Sequence, residues 1–120
     1  MIREVSAMEL EQRNLSTNRD DVADQLFSRH RGLAILRLLH RSPEYRTNEL
    51  LLIDWLTAVA LACSHGDLRE LASRLERQGL LRTENLNGLL IATLTEAGED
   101  VALGRVTCDD VLRPNPECPY

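Results

Sequence analysis

Apolar residues recur at helical spacing between residues 20 and 40, at Val22, Leu26, Leu33, Leu36 and either Leu38 or Leu39. Residues three, four or seven positions apart share one face of an α-helix, so this spacing predicts an amphipathic helix that begins near Asp20 or Asp21. Gly32 could divide this helix or only weaken it, at a cost of about 1 kcal/mol. Pro43 should end it, because the proline ring forces the preceding residue out of helical geometry.

A second helix is predicted over residues 48–62, with Thr47 or Asn48 as its N-cap. Its body, ELLLIDWLTAVALAC, is apolar on nearly every side. A helix of this kind is usually buried on more than one face. We therefore expect it to be either the central helix of the domain or half of a dimer interface.

A third helix is indicated after Ser64, since Ser64 and Asp67 have the spacing of a capping box. Its apolar stripe consists of Leu68, Leu71, Ala72 and Leu75. Gly79 stands where a glycine in the left-handed conformation commonly ends a helix.

The runs LLRTENL and LLIATLT flank Asn87-Gly88, a pair that tolerates the positive φ of the type I′ turn in two-residue hairpins. The pattern predicts a β-hairpin with strands near residues 80–85 and 90–94. Thr95 then caps a last helix over residues 96–103.

Gly104 ends that helix, and the segment after it contains three prolines, so we expect an extended tail with no fold of its own. The chain is therefore divided into three segments: an N-terminal arm or short helix at residues 1–19, a folded domain at residues 20–105 and an extended proline-containing tail at residues 106–120. The predicted fold class is mainly α with a small β-hairpin.

Charge is distributed unevenly along the chain, whose net charge is −5. All 14 basic residues are arginine, a side chain that binds phosphate or guanine with two donors but also forms ordinary ion pairs. Residues 29–46 are rich in arginine, whereas residues 84–120 carry seven acids against two arginines. This asymmetry predicts a molecule with two electrostatic faces.

The chain has no signal-peptide pattern, and its longest apolar segment is too short to span a membrane. We therefore expect a cytoplasmic protein with no membrane partner. Its three cysteines are better explained as reduced thiols than as a disulfide framework.

The order helix, helix, helix, hairpin, helix is that of a winged helix-turn-helix. The stretches LASRLERQGLL and IATLTEAGEDVALG resemble the recognition helix, wing and following helix of ArsR/MarR-like regulators. YRTNELLL, QGLL, ATLTEAGEDVALGR and VLRP resemble a small protein of Mu-like phages and prophages, usually labelled an ArsR-like regulator. This resemblance covers roughly residues 33–116 and implies a winged-helix, DNA-binding transcription regulator.

In such a fold the helix before the wing enters the major groove and its outward side chains meet bases and phosphates. The candidate DNA contacts comprise this helix, the wing and the arginine-rich segment: Arg69, Ser73, Arg74, Arg77, Arg82, Asn85, Asn87, Arg41 and Arg46. Arg74 should contact a base or phosphate, because it is predicted to lie opposite the leucine stripe.

Three acids offset the three arginines of this helix, so an ordinary solvated helix face is the alternative. An acidic chain lacks the usual basic footprint of a DNA-binding protein. Acidic regulators that do bind DNA generally act in two copies. We expect a homodimer on duplex DNA, with a two-fold interface from residues 8–40 and a contribution from residues 48–62. The alternative function is a winged-helix module that binds another protein, such as one encoded by the same phage.

No phosphate-binding glycine loop or nucleophile motif is present, and His30, His40 and His65 are isolated from one another. Cys63 and His65 alone cannot form a tetrahedral zinc site. We therefore predict no enzymatic activity, no cofactor and no metal.

Overall fold

The computed structural model describes the backbone of residues 2–120 and the side chains from residue 19 onwards. It contains four α-helices and three strands in the order α1 (Ile2–Arg41), β1 (Arg46–Asn48), α2 (Glu49–Ala58), α3 (His65–Arg77), β2 (Leu81–Leu86), β3 (Leu89–Leu94) and α4 (Glu96–Ala102). A short 3-10 turn, Pro43–Tyr45, joins α1 to β1. The predicted class, mainly α with a small hairpin, is confirmed.

The first helix is longer than the sequence predicts. It continues through Gly32 without interruption and ends at Arg41, just before the Ser42-Pro43 pair. Of the predicted arm, residues 1–19, only Arg19 has a described side chain, and the same limit applies to residues 8–18 of the predicted dimer interface.

Helix caps lie where the sequence predicts them, because each depends on neighbouring residues. The side chains of Asn48, Ser64 and Thr95 accept hydrogen bonds from the backbone N–H three residues later. Gly79 follows α3 with a φ of 77°, the left-handed conformation expected of it.

The hairpin turns at Asn87 and Gly88, whose φ angles of 55° and 84° are both positive, as a type I′ turn requires. β3 is the central strand of an antiparallel sheet in the order β1-β3-β2. The three-residue strand β1 was not predicted, since RTN has no strand pattern of its own and pairs with β3 only through tertiary contact.

The C-terminal third of α1 is the centre of the core. Its side chains from Leu33 to Leu36, and Leu39, are fully buried. They pack in one cluster with the stripe of α3, the inner residues of the hairpin, and Val101 and Ala102 of α4.

The second helix is shorter and less buried than predicted. It ends at Ala58 rather than near residue 62, and Ala60 has a positive φ of 62°. α2 buries Leu52 and Leu56 but exposes 55% of Leu50 and 48% of Leu51. It is therefore not the central helix of the domain; α1 is.

The predicted tail has no helix or strand, but it packs on the domain. Val111 is buried in the core, and the N–H of Leu112 donates to the carbonyl oxygen of Arg29. His30 Nδ1 lies 2.9 Å from the hydroxyl of Tyr120. The segment is therefore held by contacts of its apolar residues with α1 and not by secondary structure of its own.

Candidate nucleic-acid interface

Helix α3 presents four different faces, and its side chains have different partners on each. The apolar stripe is buried against α1 and the sheet. Arg69 and Glu76, seven residues apart, face the hairpin, whereas Arg74 faces α1. Ser73 and Arg77 lie between these two sides and point outward, where both are exposed.

A buried carboxylate connects α2, α3 and the hairpin. Glu49 is only 3% exposed. Arg69 donates to both of its oxygens, from Nε at 3.0 Å and from Nη2 at 2.7 Å. The N–H of Leu90 donates to Oε1 at 2.9 Å, and Nδ1 of His65 lies 3.2 Å from Oε2.

These donors stabilise the charged form of Glu49. The hydrogen bonds from Arg69, then that from Leu90, lower the pKa of Glu49 from 4.5 to about 2, against the opposing effect of burial. The same contact raises the pKa of Arg69. Arg69 also donates to the carbonyl oxygen of Gly88 at 3.0 Å, so it holds the tip of the hairpin to α3.

A second contact holds strand β2 of the hairpin to α3. The carboxylate of Glu76 accepts from the N–H of Thr83 at 2.8 Å and from its hydroxyl at 2.7 Å, which lowers the pKa of Glu76. Thr83 lies on β2, an edge strand whose outer N–H groups would otherwise face solvent. The hairpin is therefore bound along α3 at two points.

The position of Arg74 differs from its predicted one. Its Nη2 donates to the hydroxyl of Ser28 on α1 at 2.7 Å, and its Nε is buried without a hydrogen-bond partner among the described groups. Arg74 lies beside two neighbouring grooves between α1, α3 and the tail. It does not lie opposite the leucine stripe, because position 74 is rotated toward α1.

The candidate residues of the sheet and of α1 are also divided. Arg46 donates to Glu84 across the sheet at 2.6 Å, and the guanidinium of Arg41 stacks 5.0 Å from the ring centre of Trp55. The other three, Arg82, Asn85 and Asn87, are exposed. Within the part of the chain whose side chains are described, these three make no side-chain hydrogen bond.

The nine predicted contacts therefore fall into two groups. Those held by other parts of the protein are Arg41, Arg46, Arg69 and Arg74. Those with no side-chain partner among the described residues are Ser73, Arg77, Arg82, Asn85 and Asn87, and all five are exposed. This second group lies on the outward side of α3 and on the hairpin.

Glu49 is the residue that the sequence analysis missed. It is the first residue after the N-cap of α2, a position where an acidic residue is favourable in any helix, exposed or buried. Its position in the sequence therefore does not indicate burial. The only available signal was that it is one of three polar residues in an otherwise apolar run.

The histidines and cysteines are dispersed in the structure as well. His30 contacts Tyr120, His40 packs beside Tyr45, and His65 contacts Glu49. From residue 19 onwards, no group of three or more His, Cys, Asp or Glu residues is placed to hold a metal ion. No helix in the described chain is long and apolar enough to cross a membrane.

Comparison with known proteins relates this chain to a phage protein. A protein of Escherichia phage Mu, "Uncharacterized protein gp26", is 37% identical to it over 93 residues. The matched region covers 78% of this chain and 96% of the phage protein. No family model matches the chain, and no solved structure matches it.

Proposed function

Because the chain belongs to the family of the phage Mu protein gp26, we propose that it is a winged-helix DNA-binding protein that regulates phage or prophage transcription as a homodimer. The phage-related part of the resemblance in its sequence is confirmed by this relative. The order and packing of the elements are compatible with a winged helix, and the proposal of a DNA partner rests on that fold.

The observation that carries the proposal is the attachment of the hairpin to α3. In winged-helix proteins a recognition helix and a neighbouring hairpin contact the DNA together. Here Arg69 and Glu76 hold the hairpin along α3, at its tip and within β2. Their charges are used inside the protein, and Ser73 and Arg77 remain on the outward face of the helix.

This arrangement changes the charge balance of the proposed interface. α3 as a whole is neutral, with Asp67, Glu70 and Glu76 against three arginines. Glu76 and Arg69 are engaged with the hairpin, so the outward side presents Arg77 beside Glu70, and the hairpin adds Arg82. Such a weakly charged surface fits modest affinity per copy, and two copies would multiply the phosphate contacts.

The test is duplex DNA binding over a series of salt concentrations. We expect Arg77→Ala to weaken binding more than Arg74→Ala, because Arg77 has no partner among the side chains from residue 19 onwards, whereas Arg74 is held by Ser28. Loss of a two-pronged base contact should cost about 1–3 kcal/mol of binding free energy. Loss of a phosphate contact should instead reduce the slope of log affinity against log salt concentration by about one.

Arg105→Ala is the matched control, since it removes the same charge from the segment after α4, where Arg105 contacts Asp100. It should leave binding nearly unchanged. If the wild-type protein shows no salt-dependent binding to any duplex, the DNA proposal is wrong.

One observation favours the alternative, a protein-binding module. Leu50 at the start of α2 and Leu86 at the hairpin turn are 55% and 58% exposed. They lie at the same end of the sheet, because β1 runs into α2 beside Leu90. Exposed apolar side chains grouped in this way are typical of protein interfaces.

The alternative is tested by recovering the protein from phage-infected cells and identifying what is bound to it. A phage protein retained by wild type and lost with Leu50→Ser plus Leu86→Ser would support this function. Equal retention by Arg77→Ala would separate it from the DNA proposal.

A further inference from the structure

A stripe of exposed apolar side chains on α1 lies outside the core cluster of the described chain. Residues 19–27 are all exposed, although the same helix is completely buried from Leu33 to Leu36. Val22 is 54% exposed, Leu26 48% and Phe27 47%. With Ala23 they form one face of the helix, which we call the α1 stripe.

The stripe continues into a shallow groove of about 320 Å³, lined by Ala23, Leu26, Phe27, His30, Leu61 and Tyr120. The groove is apolar apart from the ring of His30 and the hydroxyl of Tyr120, which are bonded to each other. It can therefore accept apolar side chains from a helix laid along the stripe.

Charged residues of opposite sign lie along one border of the stripe. Asp20, Asp24 and Arg31 are separated by four and seven positions, so they follow one another on the same side of the helix. Arg31 is fixed there, because Nε and Nη2 donate to the carbonyl oxygens of Leu61 and Ala62, and its guanidinium lies 5.2 Å from the centre of the Phe27 ring.

We infer that a second copy of this chain docks on the α1 stripe in antiparallel orientation, with the two-fold axis near Leu26. In an antiparallel pair related by a two-fold axis, each border of one helix faces the equivalent border of the other helix. Asp20 and Asp24 of one copy then lie opposite Arg31 of the other, and the two-fold axis repeats this contact. The inference gives a geometry to the homodimer of the proposed function and rests on that homodimer.

The antiparallel orientation also leaves room for both domains. The hydrogen bonds of the domain body to this part of α1 include those at Ser28, from Arg74, and at Arg29, from the tail. Antiparallel pairing places the two bodies at opposite ends of the paired segment. A parallel pair would bring both bodies to the same end.

The first experiment exchanges the charges along the border and measures dimerisation by sedimentation in the absence of DNA. One variant carries both Asp20→Arg and Asp24→Arg, and a second variant carries Arg31→Glu. Each variant should weaken dimerisation at least about tenfold, because like charges then meet. The chain that carries all three substitutions should dimerise again, since the contact is restored with its signs exchanged.

Two controls separate this border from charge in general. Asp21→Arg changes a charge on the opposite face of α1, and Arg29→Glu changes one on the other border of the stripe. Both should leave the dimer intact. Helix content measured by circular dichroism shows whether each variant is folded.

A second measurement does not depend on charge. Leu26→Cys places two thiols near the two-fold axis, and mild oxidation should link the chains to a degree that wild type and Asp21→Cys do not reach. The inference is overturned by any one of three results: a monomeric wild type, a triple variant that stays monomeric, or the absence of a Leu26→Cys crosslink. Because none of these measurements includes DNA, their failure is distinguishable from failure of DNA binding in the salt series.

Discussion

Replacement of Glu49 by glutamine tests the buried contact between α2, α3 and the hairpin. Glutamine has nearly the same shape but no charge, and its amide nitrogen would face the donors of Arg69 or Leu90. One or two hydrogen bonds to a charged acceptor are lost, and buried donors are left without a partner. We expect a less stable protein with the same fold.

The size of the effect follows from the pKa of Glu49. Its fall from 4.5 to about 2 corresponds to about 3 kcal/mol of preferential stabilisation of the charged form in the folded state. The side chains that cover the carboxylate, Arg69 and His65, are 49% and 54% exposed, so water and salt screen part of this interaction. We therefore expect Glu49→Gln to lower the free energy of unfolding by about 2 kcal/mol at neutral pH.

The difference from wild type should depend on pH in a defined direction. The folded-state pKa lies below the unfolded-state value, so the stabilisation is complete above about pH 4.5 and is lost as the pH falls toward about 2. Glu49→Gln has no such titration. The two proteins should therefore approach equal stability as acid is added.

Denaturant unfolding of both proteins between about pH 7 and about pH 3 measures this difference. Glu84→Gln is the control, because Glu84 pairs with Arg46 at a site where its side chain is 59% exposed. That control should cost less than about 1 kcal/mol. A Glu49→Gln penalty no larger than that of Glu84→Gln, or a penalty that is the same at both ends of the pH range, would refute the reasoning.

Two further predictions concern packing that can be measured by the same unfolding assay. In Gly98→Ala the new Cβ would collide with the backbone carbonyl of Leu80, so we expect the free energy of unfolding to fall by about 3 kcal/mol or more. In Gly66→Ala the new Cβ would meet only the hydroxyl oxygen of Ser64 at 3.8 Å, an ordinary contact, and the change should be nearly neutral. A Gly98→Ala protein as stable as wild type would show that α4 does not pack this closely on Leu80, the residue before β2. Val111→Ala removes two buried carbons and should cost about 1.6 kcal/mol, while the exposed Val106→Ala should cost little. Equal effects at these two positions would mean that the tail does not pack on α1.

The sequence determined the elements whose signals are local. Asn48, Ser64 and Thr95 each cap a helix by a bond to a residue three positions away. Asn87-Gly88 closes the hairpin through its own positive φ angles. Because both the signal and its effect lie within a few residues, the three helix starts and the turn could be predicted without knowledge of the remaining chain.

Tertiary structure decided the features whose partners are distant along the chain. Glu49 is buried because the N–H of Leu90, 41 positions away, and the guanidinium of Arg69 surround it. Arg74 turns toward Ser28, 46 positions away, rather than outward. Strand β1 exists only because β3 lies beside it, and the tail is ordered by contacts with α1.

The same distinction applies to the candidate interface. Sequence spacing placed Arg69, Arg74 and Arg77 on one helix but could not show which of the three has an internal partner. An arginine is available to a ligand only if no acceptor in its own fold already holds it, and those acceptors come from α1, α2 and the hairpin. The helix was therefore determined by its local sequence, whereas the packing around it decided that, of these three arginines, Arg77 has no partner among the described side chains.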